Sequence, residues 1–271
     1  ALGVPPDLGL PPFTADQLGG LVLWLPMKNA RTLAVLWPLP PTRYQYRKKA
    51  PEYVASLLGH EGPGSVIQAL RVKGWADSLS AYVDYDATTF AMMRVDITLT
   101  ESGGAVVDNV VEILLGGVAK IKAEQWRFDE RRQLDDVRFR FLSKQSAYEN
   151  VYQTASAMHK YAKNGNNARQ KEVLAAPYVW DAKMDAKAIA DIADRLRPAN
   201  MALFVGAVDY ADCIDACTCA PAGFVSASGG QSCEKAIEPY MGVKMNRISV
   251  VQSVRQKWDT AFRGGGARFP N

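Results

Sequence analysis

The spacing of hydrophobic residues changes twice along this chain, and these changes limit the folds that it can adopt. Two short apolar runs, residues 21–26 and 32–37, are separated by the polar segment 28–31, which predicts two strands joined by a turn. Helical spacing dominates the middle of the chain, and residues 201–208 return to a strand-like run. This order predicts an α+β fold with antiparallel pairing, because short links cannot carry the crossover between parallel strands.

A glycine-rich bend near residue 60 joins two predicted helices. Residues 50–58 place apolar side chains on one helix face, namely Tyr53, Val54, Leu57 and Leu58. Ser65 is suited to cap a second helix over residues 66–72, and Gly74 is suited to end it. The two helices therefore meet through the bend, and a strand follows directly.

Further elements follow from the same patterns. Alternating polarity predicts strands over residues 75–85 and 90–99, and an apolar stripe predicts one long helix over residues 105–123. Helical spacing continues in three more segments, and a strand turns into a helix near the end of the chain: residues 126–139, 147–161, 186–196 and 248–258.

Composition and charge exclude several classes of protein. The 271 residues are 48% hydrophobic and 22% charged, which is typical of a globular domain with a substantial core. The net charge of +4 is too small and too dispersed to indicate nucleic-acid binding. No run approaches the roughly 20 apolar residues of a membrane span. We expect neither partner, and we expect the natural protein to extend beyond Ala1.

Histidine content argues against a metallopeptidase site within this segment. Such a site needs two imidazoles four positions apart on a helix, as in His-x-x-Glu-His, with a carboxylate as base. The chain has only His60 and His159, and no histidine lies four positions from His60. Nucleotide-binding glycine motifs and a G-x-S-x-G nucleophile setting are also absent from the sequence. We therefore predict no metal and no catalytic residue here.

All four cysteines fall within one 21-residue window, as Cys213, Cys217, Cys219 and Cys233. They lack the paired C-x2-C spacing of zinc ribbons, and the segment between them has the composition of a flexible loop. A metal site, a disulfide and reduced thiols are all open, with reduced thiols as the default. Because secreted disulfide scaffolds spread their cysteines, we expect a cytoplasmic protein. The loop-like composition favours a surface insertion, which we place at residues 209–236.

Six sequence blocks, in a consistent order, resemble the insulysin-type proteases of the pitrilysin (M16) superfamily. Leu57-Leu58-Gly59-His60-Glu61-Gly62-Pro63-Gly64-Ser65, followed by a Lys-Gly-Trp at 73–75, resembles their L-x-G-H-E-G-x-G-S … K-G-W signature. The others resemble P-x-K-x-x-R-x-L … W-P-L-P, V-x-L-T-x-x-G, E-W … F-x-F, L-R-P-x-N and Y-G patterns, in residues 26–40, 95–103, 125–141, 196–201 and 240–243.

The resemblance implies a second, non-catalytic domain of such a protease. It implies a single domain over residues 1–271 with the fold of the LuxS and mitochondrial processing peptidase-like metallohydrolases. That fold is an antiparallel sheet of about six strands with helices on one face. It also implies that the first domain of the parent protein holds zinc, so that the parent is a zinc metalloendopeptidase although this segment alone is not an enzyme.

The resemblance further implies that this domain is an exosite for peptide substrates. In the family, the edge strand after the Gly-Trp pair binds an extended peptide by backbone pairing. The matching strand here starts at Trp75, but Ala81 and Tyr82 replace the usual Gly-Gly pair, and their side chains could hinder a peptide. The predicted contact residues are His60, Gly62, Leu79, Ser80 and Ala81.

The partners implied are peptide substrates and other domains of the same protease chain. Two alternatives belong to other classes of protein. One is a non-enzymatic interaction module or inactive paralogue of the same fold, and the other is a regulatory domain that binds metal through its cysteines.

Overall fold

The computed structural model describes residues 12–14, 17–28, 30–161, 172–219, 221, 224 and 233–265. The strands in this part of the chain are β1 (Gly20–Trp24), β2 (Arg31–Leu39), β3 (Ala76–Asp86), β4 (Ala91–Leu99), β5 (Ala202–Ala207), β6 (Cys233–Ile237) and β7 (Lys244–Ser249). They form one seven-stranded sheet in the order β3-β4-β2-β5-β1-β7-β6. Within the described residues, β3 and β6 are therefore the two edges.

The centre of the sheet corrects the predicted pairing. β5 lies between β1 and β2, antiparallel to β2 and parallel to β1. The two strands predicted from residues 21–26 and 32–37 exist but do not form a hairpin. The expected sheet of about six antiparallel strands has seven, with one parallel pair. The parallel pair is possible because a long segment with three strands and several helices, not a short turn, separates β1 from β5.

The helices of the described residues cover the sheet. They are α1 (Ala50–Leu58), α2 (Val66–Val72), α3 (Glu101–Gly104), α4 (Val107–Ala119), α5 (Gln125–Arg140), α6 (Ala147–Tyr161), α7 (Ala186–Arg195) and α8 (Gln252–Phe262). Short 3-10 helices lie at Arg43–Gln45, Pro198–Asn200 and Val208–Tyr210. No helix in these ranges has the length and apolar character needed to cross a membrane.

The core lies between one face of the sheet and the helices. Alternate strand residues such as Leu23, Val35 and Val205 are fully or almost fully buried, as period-two geometry requires. They join one apolar cluster with residues of α1, α2, α4 and α8. Trp258 of α8 is buried too, and its indole N–H donates to the Asp108 carbonyl of α4 at 2.9 Å.

The helix predicted over residues 105–123 is α4, which is shorter at both ends and follows a separate short helix, α3. α3 ends at Gly104, and α4 starts at Val107 after Val106 takes a non-helical conformation (φ −130°, ψ 40°). The Thr100 side chain caps α3 by accepting from the Gly103 N–H at 3.0 Å. The predicted apolar face is confirmed, since Val110 of α4 is fully buried, but periodicity does not show at which residues a helix begins and ends.

The cysteines correct a second expectation. They pair as Cys213–Cys219 and Cys217–Cys233, so the default of reduced thiols is wrong. A sulfur in a disulfide has no thiolate to offer a metal, so this pairing also opposes the metal-binding alternative. Spacing alone could not choose between pairings, because four cysteines allow three. Within the predicted insertion 209–236, residues 220, 222–223 and 225–232 lie outside the described residues.

Candidate functional site

The edge strand β3 pairs with β4, and two hydrogen bonds show which peptide groups of the two strands bond to each other. The Thr100 N–H donates to the Trp75 carbonyl at 3.1 Å just before β3, and the Ala87 N–H donates to the Phe90 carbonyl at 2.8 Å just after it. Thr100 and Phe90 therefore direct their peptide groups toward the β3 side. Because direction alternates along a strand, the even-numbered residues of β4 do the same.

The register then assigns every residue of the middle of β3. Ser78, Ser80 and Tyr82 lie opposite Thr98, Asp96 and Arg94, so their peptide groups point to β4. The intervening residues direct theirs away from β4, toward the open edge: Leu79, Ala81 and Val83. The site thus offers three outward peptide groups on alternate residues, which is the pattern that an added strand uses.

The side chains of β3 separate onto two faces. Leu79 is 6% exposed and packs into the core beneath α1 and α2, so only its peptide group is available to a ligand. Ala81 is partly buried on the same face, whereas Ser80 and Tyr82 are exposed on the open face. Side chains stand perpendicular to the sheet, so neither Ala81 nor Tyr82 projects along the edge.

The bend after α1 lies beside this edge. A Cβ added to Gly59 would lie 3.6 Å from the Ala81 nitrogen, so the chain passes close to the strand. Further along, the Gly62 N–H donates to His60 Nδ1 at 3.1 Å. A Cβ on Gly62 would lie 2.5 Å from His60 Cε1, so glycine makes room for the imidazole. The exposed His60 ring is thereby held over the bend.

The bend is tied to α2 and to the start of β3. Ser65 caps α2, its hydroxyl accepting from the Gln68 N–H at 3.2 Å, as predicted. Arg71 donates through Nε and Nη2 to the Asp77 carbonyl at 3.0 and 2.9 Å, and its Nη1 lies 3.3 Å from Glu61. Asp77 is the bulged residue where β3 begins its pairing. The five predicted residues thus belong to one bend and its neighbouring strand.

A polar network on the open face was missed by sequence reasoning. The Tyr82 hydroxyl donates to Asp96 at 2.6 Å, and Arg94 lies between Asp96 at 2.9 Å and Asp84 at 3.4 Å. Burial, followed by the hydrogen bond to Asp96, raises the pKa of Tyr82 to about 12. The period-two spacing of Arg94 and Asp96 was the available signal, but their partners on β3 depend on register.

Metal-binding chemistry has no support in this part of the chain. Across the described ranges, no three His, Cys, Asp or Glu side chains are grouped so that they could hold a metal ion. The arrangement can offer hydrogen-bonding peptide groups along an edge, an imidazole and a shallow polar face. Those features suit binding of an extended chain.

Comparison with known proteins agrees with the blocks found in the sequence. The family profile described as "Peptidase M16 inactive domain" matches residues 2–134. The chain contains a domain of the peptidase M16 inactive family. The matched range covers the bend, β3 and the β4 strand beside it, so every predicted site residue of this M16 domain lies within it.

Similarity to M16 proteins extends over nearly the whole chain. Insulin-degrading enzyme of Mus musculus is 26% identical over 268 residues, 98% of this chain and 24% of that protein. A Caenorhabditis elegans protein whose name includes the words "zinc protease" is 30% identical over 161 residues, 58% of this chain and 19% of that protein. The chain spans about a quarter of the length of such relatives, or less.

The fold of the M16 domain is also found in a solved structure. The crystal structure of pitrilysin matches with a TM-score of 0.78 at 18% identity, over 98% of this chain and 26% of the pitrilysin chain. At this identity the likeness shows the fold. It supports the mixed α+β architecture with helices flanking a mostly antiparallel sheet.

Proposed function

We propose that this chain is the substrate-positioning (exosite) domain of an M16 zinc metalloendopeptidase, and that the edge of β3 binds its peptide substrates. The observation that carries the proposal is the row of outward peptide groups on Leu79, Ala81 and Val83, which the pairing with β4 leaves unused. An extended peptide would add there as an eighth strand. Backbone pairing reads the extended shape of a peptide more than its side chains.

Each predicted residue has a distinct part in this proposal. Leu79 and Ala81 supply the paired peptide groups. Ser80 presents its hydroxyl to side chains on the open face of the added strand. Gly62 holds the His60 imidazole in place, and His60, which is exposed beside the edge, meets one end of the peptide.

Catalysis would reside elsewhere in the same polypeptide. The resemblance implies zinc in a first domain of the parent protein, and a relative named as a zinc protease supports this. The parent would then cleave peptides that this domain has bound. Holding a peptide at a second point raises its effective concentration at the zinc site, which is what an exosite contributes.

Backbone methylation of the ligand tests the edge directly. A series of extended peptides, each with one N-methylated residue, would be titrated against the protein by fluorescence anisotropy. Methylation removes one N–H donor and leaves the side chains unchanged. We expect affinity to fall at alternate residues only, because an added strand directs every second peptide group toward β3. An equal effect at all positions, or none, would contradict β-strand addition.

Two proline variants provide a matched control on the protein. Ala81→Pro removes an outward N–H and keeps the ladder to β4, so we expect weaker peptide binding with little change in stability. Ser80→Pro removes an N–H that points to β4, so we expect the domain itself to be destabilised. Urea unfolding and peptide titration of both variants would separate the two effects. Unchanged binding in Ala81→Pro would count against the proposed edge.

The alternative function is a non-enzymatic interaction module or inactive paralogue of the same fold. It predicts the same alternate pattern of N-methyl effects, because the edge is the same. It differs in predicting that the whole protein binds peptides without cleaving them. A cleavage assay on the whole protein, with and without a chelator, therefore distinguishes the two.

We also propose that an exposed apolar surface on α5 and α6 packs against another domain of the same polypeptide. This α5–α6 surface consists of Trp126, Phe141, Tyr148, Val151 and Tyr152. Tyr148 is 82% exposed and Phe141 is 78% exposed, and exposed apolar side chains in neighbouring segments are typical of interaction surfaces. The relatives carry about three quarters of their length outside the matched region, which supplies the covering surface.

Radical footprinting tests this contact. We expect Tyr148 and Tyr152 to be oxidised several-fold more slowly in the whole protein than in the 271-residue chain. Tyr240, which is 93% exposed and lies far from α5 in sequence, serves as the reference. Equal oxidation of Tyr148 in both forms would show that this surface stays open.

A further inference from the structure

The described cysteines form two overlapping loops at one edge of the sheet. Cys213, Cys217 and Cys219 lie in the turn after β5, and Cys233 is the first residue of β6. Cys217 lies between Cys213 and Cys219 in sequence, so the loops closed by the two disulfides overlap along the chain. Their Cα–Cα distances are 5.0 and 6.2 Å, within the range that a disulfide spans without backbone movement.

The turn is organised around these bonds. Ile214 is 2% exposed, and its N–H donates to the Tyr210 carbonyl at 2.9 Å. The Thr218 N–H donates to the Cys213 carbonyl at 3.2 Å, which brings the chain back toward Cys213. Cys217 has φ 61°, a left-handed conformation that costs a non-glycine residue energy and that persists where the surroundings impose it.

The Cys217–Cys233 disulfide attaches strand β6 to the turn after β5. Among the described residues β6 pairs with β7 alone, and Glu234, Lys235 and Ala236 are exposed. A short, exposed edge strand with one neighbour has little burial to hold it. One end is held by Cys233, and the Asp215–Lys244 ion pair, at 2.5 Å, ties the turn to β7.

We infer that Cys213–Cys219 and Cys217–Cys233 are formed by thiol–disulfide exchange in an oxidising compartment, and that they clamp β6 to the sheet. For each bond, a cysteine thiolate attacks the disulfide of an exchange protein and gives a mixed disulfide. The second cysteine displaces the exchange protein as its dithiol. Two thiols of this chain lose two protons and two electrons, and the exchange protein's disulfide accepts both electrons.

The inference contrasts with the cytoplasmic location expected from clustered cysteines. Disulfides persist in secretory and extracellular spaces, whereas glutathione and thioredoxin keep cytosolic thiols reduced. A chain whose four cysteines are all paired needs the first kind of compartment to reach its folded form. Formation of these two bonds is independent of peptide binding at β3.

Thiol counting on the protein from its own cells tests the inference. Cells would be quenched in acid, and the protein denatured and alkylated with N-ethylmaleimide without reductant. We expect no alkylated cysteine, and four after reduction. Digestion without reduction should yield linked peptides joining Cys213 to Cys219 and Cys217 to Cys233. Alkylation of all four cysteines before reduction would overturn the proposal.

Hydrogen exchange tests the clamp. The double variant Cys217→Ser with Cys233→Ser opens a loop with a sequence separation of 16. We expect amides of β6 to exchange on the order of 100-fold faster, the factor that loop-closure entropy supplies for this length. Cys213→Ser with Cys219→Ser opens a loop with a separation of only 6 and should change β6 less. Unchanged exchange of β6 in the first variant would show that the bond does not clamp it.

Discussion

Replacing Gly103 by alanine should be among the most damaging single methyl additions to this domain. A Cβ on Gly103 would lie 1.8 Å from the Trp75 carbonyl oxygen, whereas real Cβ contacts stay beyond 3.0 Å. The backbone must therefore move by about 1.2 Å, from 1.8 to 3.0 Å, at the start of β3. The same junction holds hydrogen bonds from Thr100 to Trp75, at 3.1 Å, and from Thr100 and Ser102 to the Gly74 carbonyl, at 2.6 and 2.7 Å.

The size of the effect follows from these contacts. Overpacking of a rigid site costs about 1–3 kcal/mol, and each weakened hydrogen bond costs about 0.5–1.5 kcal/mol. We expect Gly103→Ala to lower the free energy of unfolding by about 3–5 kcal/mol, measured by urea denaturation with the slope unchanged. Because the junction precedes β3, peptide affinity should fall as well.

The neighbouring glycine is the control. A Cβ on Gly104 would meet only the Arg31 side chain, at 3.5 Å, which is an ordinary contact. Alanine also favours a helix over glycine by up to about 1 kcal/mol. We therefore expect Gly104→Ala to be neutral or slightly stabilising. If Gly103→Ala unfolds within about 0.5 kcal/mol of the parent, or if both variants are equally damaged, the packing argument is wrong.

Three further predictions concern the open face of the sheet and the cap of α2. The Tyr82 pKa of about 12 lies above its usual value of 10, so its contribution to stability is complete below pH 10 and is lost as pH rises toward 12. Tyr82→Phe should remove this loss when the unfolding of the two proteins is compared at alkaline pH. Asp96→Asn should bring the raised pKa of Tyr82 closer to its usual value, as measured by phenolate absorbance. Ser65→Ala should cost about 1 kcal/mol in thermal unfolding, because α2 loses its cap. Gly206→Ala should displace the Trp24 indole, which lies 2.5 Å from the added Cβ, and change tryptophan fluorescence; an unaltered spectrum would refute this.

Local signals predicted local structure well. Ser65 caps α2, Gly74 ends its turn with φ 68°, and Val54 and Leu58 are buried on the predicted face of α1. Such features depend on neighbours within a few residues, where capping and periodicity act. The bend and the strand after it were predicted for the same reason, whereas the position of that strand at the sheet edge was implied only by the family resemblance.

Contacts between distant residues were not predictable in this way. The position of β5 between β1 and β2 depends on which strands pair, and β5 is distant in sequence from both. The Tyr82–Asp96 bond depends on a register that is shifted by a bulge at Asp77. The pairing of Cys217 with Cys233 depends on where a turn places a thiol. In each case the deciding partner lies outside the local sequence window.

The place of β5 has a consequence for how this protein folds during synthesis. β1 pairs only with β5 and β7 among the described strands, and both follow residue 200. When the ribosome has made the matched range 2–134, β1 is already complete but has no partner. Its apolar residues, such as Leu21 and Leu23, stay unpaired until β5 and β7 have been synthesised, and such non-local pairing is slow. A protein ending at residue 134 should therefore aggregate, although it contains the whole family match.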